Sequence, residues 1–99
     1  MPKLVRDHIP EIIRSQGGDP QVRVLHDNTE YMRALREKLL EEVVEFEENP
    51  CIEELVDVMD VVEALYFLVK KTGGDVDGAR KLKRRQKGRF KRRLLLLNP

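Results

Sequence analysis

The chain has one cysteine, no tryptophan and only 5% aromatic residues, and its apolar runs are short. A lone Cys51 excludes an internal disulfide and a cysteine-based zinc site, and it fits a reducing compartment. Neither His8 nor His26 lies near it in sequence, so a small hydrophobe is its expected role and a nucleophile is not. Apolar runs such as Leu94–Leu97 fall far short of the ~20 residues that a spanning helix needs. No signal-peptide pattern opens the sequence, so a cytoplasmic protein without a membrane partner is expected. No Walker-type loop is present, so a phosphate-bearing ligand would not be held by a P-loop. No repeat or linker interrupts the sequence, and its 99 residues make one domain, 1–99. A domain this small buries a limited fraction of its surface, which favours completion of the core by a second copy.

What the chain has in abundance is charge, 37% of its residues, nearly balanced at +1. The balance conceals a segregation. Ten acidic residues and no basic one lie between Glu41 and Glu63, and ten basic residues and no acidic one lie between Arg80 and Arg93. Blocks of this kind serve as solvated faces or as interaction surfaces.

Periodicity gives a mainly all-α fold. A short helix is expected from about Asp7, ended by the breakers Gly17-Gly18-Asp19-Pro20. Val22, Val24 and Leu25 suggest a short strand that pairs with Phe90 and Leu94–Leu97 in a small two-stranded β element. Asp27, Asn28 and Thr29 offer N-cap oxygens, with Glu30 placed for a capping box on Asp27. Met32, Leu35, Leu39, Val43 and Phe46 then recur at helical spacing up to Asn49-Pro50. A second long helix should run from Ile52 to Lys71 and end at Gly73-Gly74, with apolar residues over most of its circumference and much of it buried. Asp75 or Asp77 can cap a fourth, basic helix that ends near Gly88. The expected architecture is an antiparallel helical hairpin in a four-helix arrangement, completed by oligomerisation.

The hairpin aligns the acids. A turn as short as Asn49-Pro50-Cys51 makes the two long helices antiparallel neighbours. Residues equidistant from the turn then face each other: Glu45 opposes Glu54, and Glu42 opposes Asp57. Within each helix these residues are three apart and share a face. Ionised carboxylates gathered among apolar residues repel one another and resist desolvation, and a hard divalent cation relieves both costs. An all-oxygen ligand set of Glu42, Glu45, Glu54 and Asp57 suits Mg²⁺, or Mn²⁺. The alternative is a solvated acidic face paired with basic residues of the last helix. Asp60 extends the Asp57 face by one turn, and Lys38, near the level of Asp60, can bind a phosphate or pair with an acid.

These residues carry a resemblance. Glu41-Glu42-Val43-Val44-Glu45 followed by Glu54-Leu55-Val56-Asp57 is similar to the EExxE…ExxD signature of the MazG-like all-α nucleoside triphosphate pyrophosphohydrolases. Lys3-Leu4-Val5-Arg6-Asp7-His8-Ile9-Pro10-Glu11-Ile12-Ile13 resembles the KLVRDKIPEII opening of a small single-domain, phosphoribosyl-ATP pyrophosphohydrolase-like branch. His8 stands where that branch usually has Lys, and the eight residues between Glu45 and Glu54 are fewer than usual. The resemblance implies Mg²⁺-dependent hydrolysis of a nucleotide between its α- and β-phosphates, in a house-cleaning role, by a homodimer or homotetramer. It implies Glu42, Glu45, Glu54 and Asp57 as ligands, with Glu42 and Glu45 catalytic through the metal and Glu41 supporting or positioning water. Lys3, Arg6, Lys38, Lys83, Lys87 and Arg93 are the candidate substrate-binding cations. Two other readings stand beside it: a nucleic-acid-binding module built on residues 80–93, which the presence of a single aromatic there disfavours, and a purely structural helical dimer.

Overall fold

The computed structural model describes residues 2–99. Four helices form among the described residues: α1 (Ile9–Ser15), α2 (Asn28–Glu48), α3 (Ile52–Lys71) and α4 (Val76–Lys87). No strand occurs among the described residues. The chain divides into two compact units, residues 1–68 and residues 69–99.

In the first unit, α1 begins at Ile9, two residues later than Asp7, with Pro10 in its first turn. Proline suits that position because its missing N–H would have had no intrahelical partner. The helix ends where the Gly18 amide donates to the Ile13 carbonyl and the Gly17 amide to the Arg14 carbonyl, with Gly17 at φ 87°. Asp27 caps α2 by accepting from the Thr29 amide. The capping box stays half made, because the Glu30 carboxylate accepts from Arg23 at 2.6 Å. That ion pair holds the segment before α2. Val22 and Val24 are exposed there without a ladder partner, and a short apolar stretch with no neighbouring strand cannot satisfy its backbone as β-structure. Leu94–Leu97, the other half of the expected pair, likewise form no strand.

The helical hairpin is present: α2 ends at Glu48, α3 starts at Ile52, and only Asn49, Pro50 and Cys51 lie between them. Its inner stripe consists of Leu35, Leu39, Glu42, Glu45 and Phe46 on α2 and Glu54, Asp57, Val58, Val61 and Leu65 on α3, all buried or half-buried. The wider burial expected of α3 does not occur within one chain. Leu55, Val56, Met59, Val62 and Phe67 are exposed, because a hairpin covers one face of each helix and these residues occupy the other. Leu35 and Leu68 are the buried apolar residues among those described, and Leu35 is the more completely enclosed.

In the second unit, α3 terminates as α1 does. The Gly74 amide donates to the Val69 carbonyl and the Gly73 amide to the Lys70 carbonyl, with Gly73 at φ 100°. This left-handed cap satisfies the last carbonyls at a conformation glycine adopts at little cost. Asp75 caps α4 by accepting from the Gly78 amide at 2.9 Å, and the helix stops at Gly88. Residues 88–99 form no further helix and are exposed throughout.

Candidate metal centre

Each of Glu42, Glu45, Glu54 and Asp57 offers one carboxylate oxygen, and these four atoms all lie within 4.8 Å of one another. The hairpin produces this directly. Two helices of fixed pitch leave a three-residue turn, so positions equidistant from it meet. Glu42 is the buried charged residue of the group and the other three are half-buried.

Surrounding cations fix the outer oxygens. Lys38, one turn before Glu42, places Nζ 3.0 Å from Glu42 Oε1 and 3.4 Å from Glu41 Oε1. Desolvation pulls the Lys38 ammonium down, but the hydrogen bond it donates to Glu42 and the charges of Glu41 and Glu42 outweigh it, so its pKa lies above the ordinary lysine value. Arg6 forks across α3, with Nη2 2.7 Å from Asp57 Oδ1 and Nη1 2.7 Å from Asp60 Oδ2. Those bonds, to Asp60 first and then to Asp57, raise the guanidinium pKa further.

The inner oxygens have no such support. Glu42 Oε2 and Glu54 Oε2 are buried without a hydrogen-bond donor. An unpartnered buried carboxylate oxygen is costly, so the pair calls for a donor or for added positive charge. A proton is one remedy. The Glu45 carboxyl is pushed above the usual glutamate range, first through its hydrogen bond with Glu42, then by the charge of Glu42, by desolvation and by Glu54 and Glu41. A divalent cation is the stronger remedy, since it meets several oxygens at once. The donor set, four carboxylates without nitrogen or sulfur, matches hard ions such as Mg²⁺ or Mn²⁺.

Glu42 and Asp57 also open onto a cleft of about 530 Å³. Tyr31, Leu35, Val61 and Ala64 give it apolar walls, Arg6, Lys38 and Asp60 give it charge, and the N-terminal stretch Leu4–Ile9 closes one side. A volume of this size with a few converging polar groups is typical of a small-molecule site.

The remaining sequence candidates are distributed as follows. Glu41 faces Lys38 and, at 3.8 Å, Lys3, outside the four-carboxylate group. Arg6 and Lys38, expected to bind substrate, both engage carboxylates. Lys83 and Lys87 lie on α4 and Arg93 lies in the turn Phe90–Arg93, all in the second unit. There Arg80, Lys83, Arg84, Arg89, Phe90 and Lys91 line a separate groove of about 500 Å³. Arg84 is pushed below the ordinary arginine value by Arg80 and Arg89 and then by desolvation. The fork from Arg6 to Asp57 is not legible in the sequence. A residue outside any helix has no periodicity to place it, and only the excess of acid on α3 hinted that a cation must come from elsewhere.

An uncharacterized protein of Mycolicibacterium smegmatis is 56% identical over 45 residues, which cover 46% of this chain and 45% of that protein. The match therefore spans less than half of either chain. No family model matches. No solved structure matches.

Proposed function

We propose that the protein is a Mg²⁺-dependent nucleotide pyrophosphohydrolase, cleaving a nucleoside triphosphate or related nucleotide between its α- and β-phosphates to a monophosphate and pyrophosphate. The observation that carries this reading is the convergence of Glu42, Glu45, Glu54 and Asp57 with two buried oxygens that lack a donor, beside a cleft of about 530 Å³. The likeness of Glu41–Glu45, Glu54–Asp57 and the opening Lys3–Ile13 to the MazG-like pattern supplies the reaction.

A bound Mg²⁺, or Mn²⁺, would neutralise phosphate oxygens and lower the pKa of a water molecule. The chain's own residues prepare for this. Lys38 takes Oε1 of Glu42 and leaves Oε2 as the free ligand atom. Glu45, whose carboxyl is pushed above the usual glutamate range chiefly by Glu42, would hold an ion as the carboxylate. Glu41, held by Lys38 and set apart from the four, is placed to orient a water or to steady the lysine. The apolar walls of the cleft exclude solvent beside the phosphates. Removal of unwanted nucleotides in the cytoplasm is the service such an enzyme performs, and phosphoribosyl-ATP is the alternative substrate that shares the chemistry.

The working form is a homodimer or homotetramer. Few apolar side chains are buried in one chain, whereas Ile52, Leu40, Met59 and Phe67 are exposed on the helices that hold the site. Exposed apolar side chains of this kind are the material of an obligate interface.

A screen for pyrophosphate release over canonical, modified and phosphoribosylated nucleotides with Mg²⁺ tests the reading. Activity that needs Mg²⁺ and vanishes in Glu42→Ala is expected. A protein that binds neither Mg²⁺ nor Mn²⁺ at millimolar concentration removes its basis. The second-unit groove favours one other reading, nucleic-acid binding through phosphate contacts, because its cations crowd one another around an exposed Phe90. Salt-sensitive binding of DNA or RNA that survives Glu42→Ala distinguishes it.

A further inference from the structure

Of the N-terminal cations, Lys3 approaches only Glu41, whereas Arg6 reaches the carboxylate cluster itself through Asp57. Its second bond goes to Asp60, which lies outside the cluster, and all three residues line the same cleft. The Arg6, Asp57 and Asp60 side chains are 52%, 35% and 48% exposed, so water competes for both bonds and the fork opens at little cost. The Lys38–Glu42 pair, at 17% and 7%, is fixed by comparison. Arg6 and a divalent cation seek the same carboxylate. A dication held by Asp57 would withdraw electron density from the acceptor and repel the guanidinium, while the bond to Asp60 would keep the arginine beside the cleft.

We infer that Arg6 changes partner: it is the counter-ion of Asp57, and it binds phosphate oxygens of the nucleotide when Asp57 serves as a metal ligand. The inference rests on the pyrophosphohydrolase reading and deepens it. A planar guanidinium with one edge free suits phosphate recognition. Arg6 therefore opposes the metal in the absence of nucleotide and cooperates with it in the presence of nucleotide. By linkage, metal and nucleotide strengthen each other's binding through this side chain.

The test compares wild type with Arg6→Gln and Arg6→Lys. Calorimetry measures Mg²⁺ binding alone, and then binding of α,β-methylene-ATP at saturating Mg²⁺. Hydrogen exchange follows residues 2–8 with and without Mg²⁺. Arg6→Gln is expected to bind Mg²⁺ alone at least as tightly as wild type and the analogue about tenfold more weakly, from loss of a charge-assisted bond. Arg6→Lys should fall between them, and Mg²⁺ should speed exchange around Arg6 in wild type. Weakened Mg²⁺ binding by Arg6→Gln, or unchanged analogue affinity, overturns the inference and makes Arg6 a structural clamp on Asp57. If Arg6→Gln does not fold, Arg6→Lys is read by the same two outcomes. Wild type that takes up no Mg²⁺ overturns the pyrophosphohydrolase reading itself, and this inference with it.

Discussion

The inner and outer faces of the α2–α3 hairpin reverse the usual arrangement. Near the turn, the inner face carries Glu42, Glu45, Glu54 and Asp57 where a helical pair ordinarily packs aliphatic side chains. The outer face carries Leu40, Val44 and Met59, which are 69%, 55% and 58% exposed. Each arrangement is unfavourable by itself. Gathering carboxylates inside costs desolvation and repulsion, and leaving aliphatic groups in water forfeits about 25 cal/mol for every Å² not buried. Stability has been set aside twice in one hairpin, and under the proposed function each face has its own compensation: a divalent cation inside and a second copy outside.

The inner half of this contrast is broken most completely by removing one acid. Asp57→Ala and Glu42→Ala should each weaken Mg²⁺ binding, measured by calorimetry, by more than about a hundredfold, since even partners of metal ligands are worth 10–100-fold. Circular dichroism should show the helices intact. Binding retained within threefold would mean that the four carboxylates are a solvated acidic face after all.

Breaking the outer half calls for charge on the exposed apolar face. Leu40→Glu with Met59→Glu should convert the protein to a monomer by sedimentation equilibrium. In wild type, the melting temperature should rise with protein concentration, as mass action requires of an associating chain, and in the double variant it should not. A monomeric wild type with a concentration-independent melt would show that the outer face needs no partner.

Acidity sharpens the inner face further. Glu45 holds its proton to a higher pH in the folded chain than in the unfolded one, chiefly through its hydrogen bond with Glu42. The native state therefore binds the extra proton, and the associated stability is present below the unfolded glutamate value of ~4.3 and lost as pH rises through the folded value. Urea midpoints with EDTA should decline over that window. Mg²⁺ should flatten the decline because it stabilises the folded state at higher pH, and Glu45→Gln should remove Glu45's part of the slope. A midpoint that rises steadily over the same window with EDTA would contradict crowding of the carboxylates.

Much of this contrast was legible in the sequence, for identifiable reasons. The three-residue turn fixed helix direction, the spacing of three fixed the face, and equal distance from the Asn49–Pro50 bond fixed the level, so the carboxylate group followed from counting. The ends of α1 and α3 were legible because Gly17 and Gly73 supply the left-handed residue that closes a helix. The proposed strand pairing failed because alternation shows only that a segment can pair, not that a partner is beside it. The exposure of Val56 and Met59 was missed because a helix apolar on most sides reads as buried, whatever molecule does the burying. The Arg6 fork lay beyond counting, since residues 2–8 form no helix and no period relates them to α3.

The smallest expected effect lies at the rim where the inner face meets water. Lys3 stands 3.8 Å from Glu41, and its side chain is 63% exposed. At that distance and exposure, solvent and salt screen most of the attraction, and ordering a long side chain offsets part of the rest. Lys3→Ala should therefore change stability by less than about 0.5 kcal/mol, and Mg²⁺ affinity by less than about twofold. Repeating the titration in 0.5 M KCl separates the possibilities, because a screened rim pair has nothing more to lose to added salt. A tenfold loss of Mg²⁺ affinity in Lys3→Ala would extend the inner face to the N-terminal segment. Glu41 would then act together with the four carboxylates, instead of serving as the outer partner of Lys38.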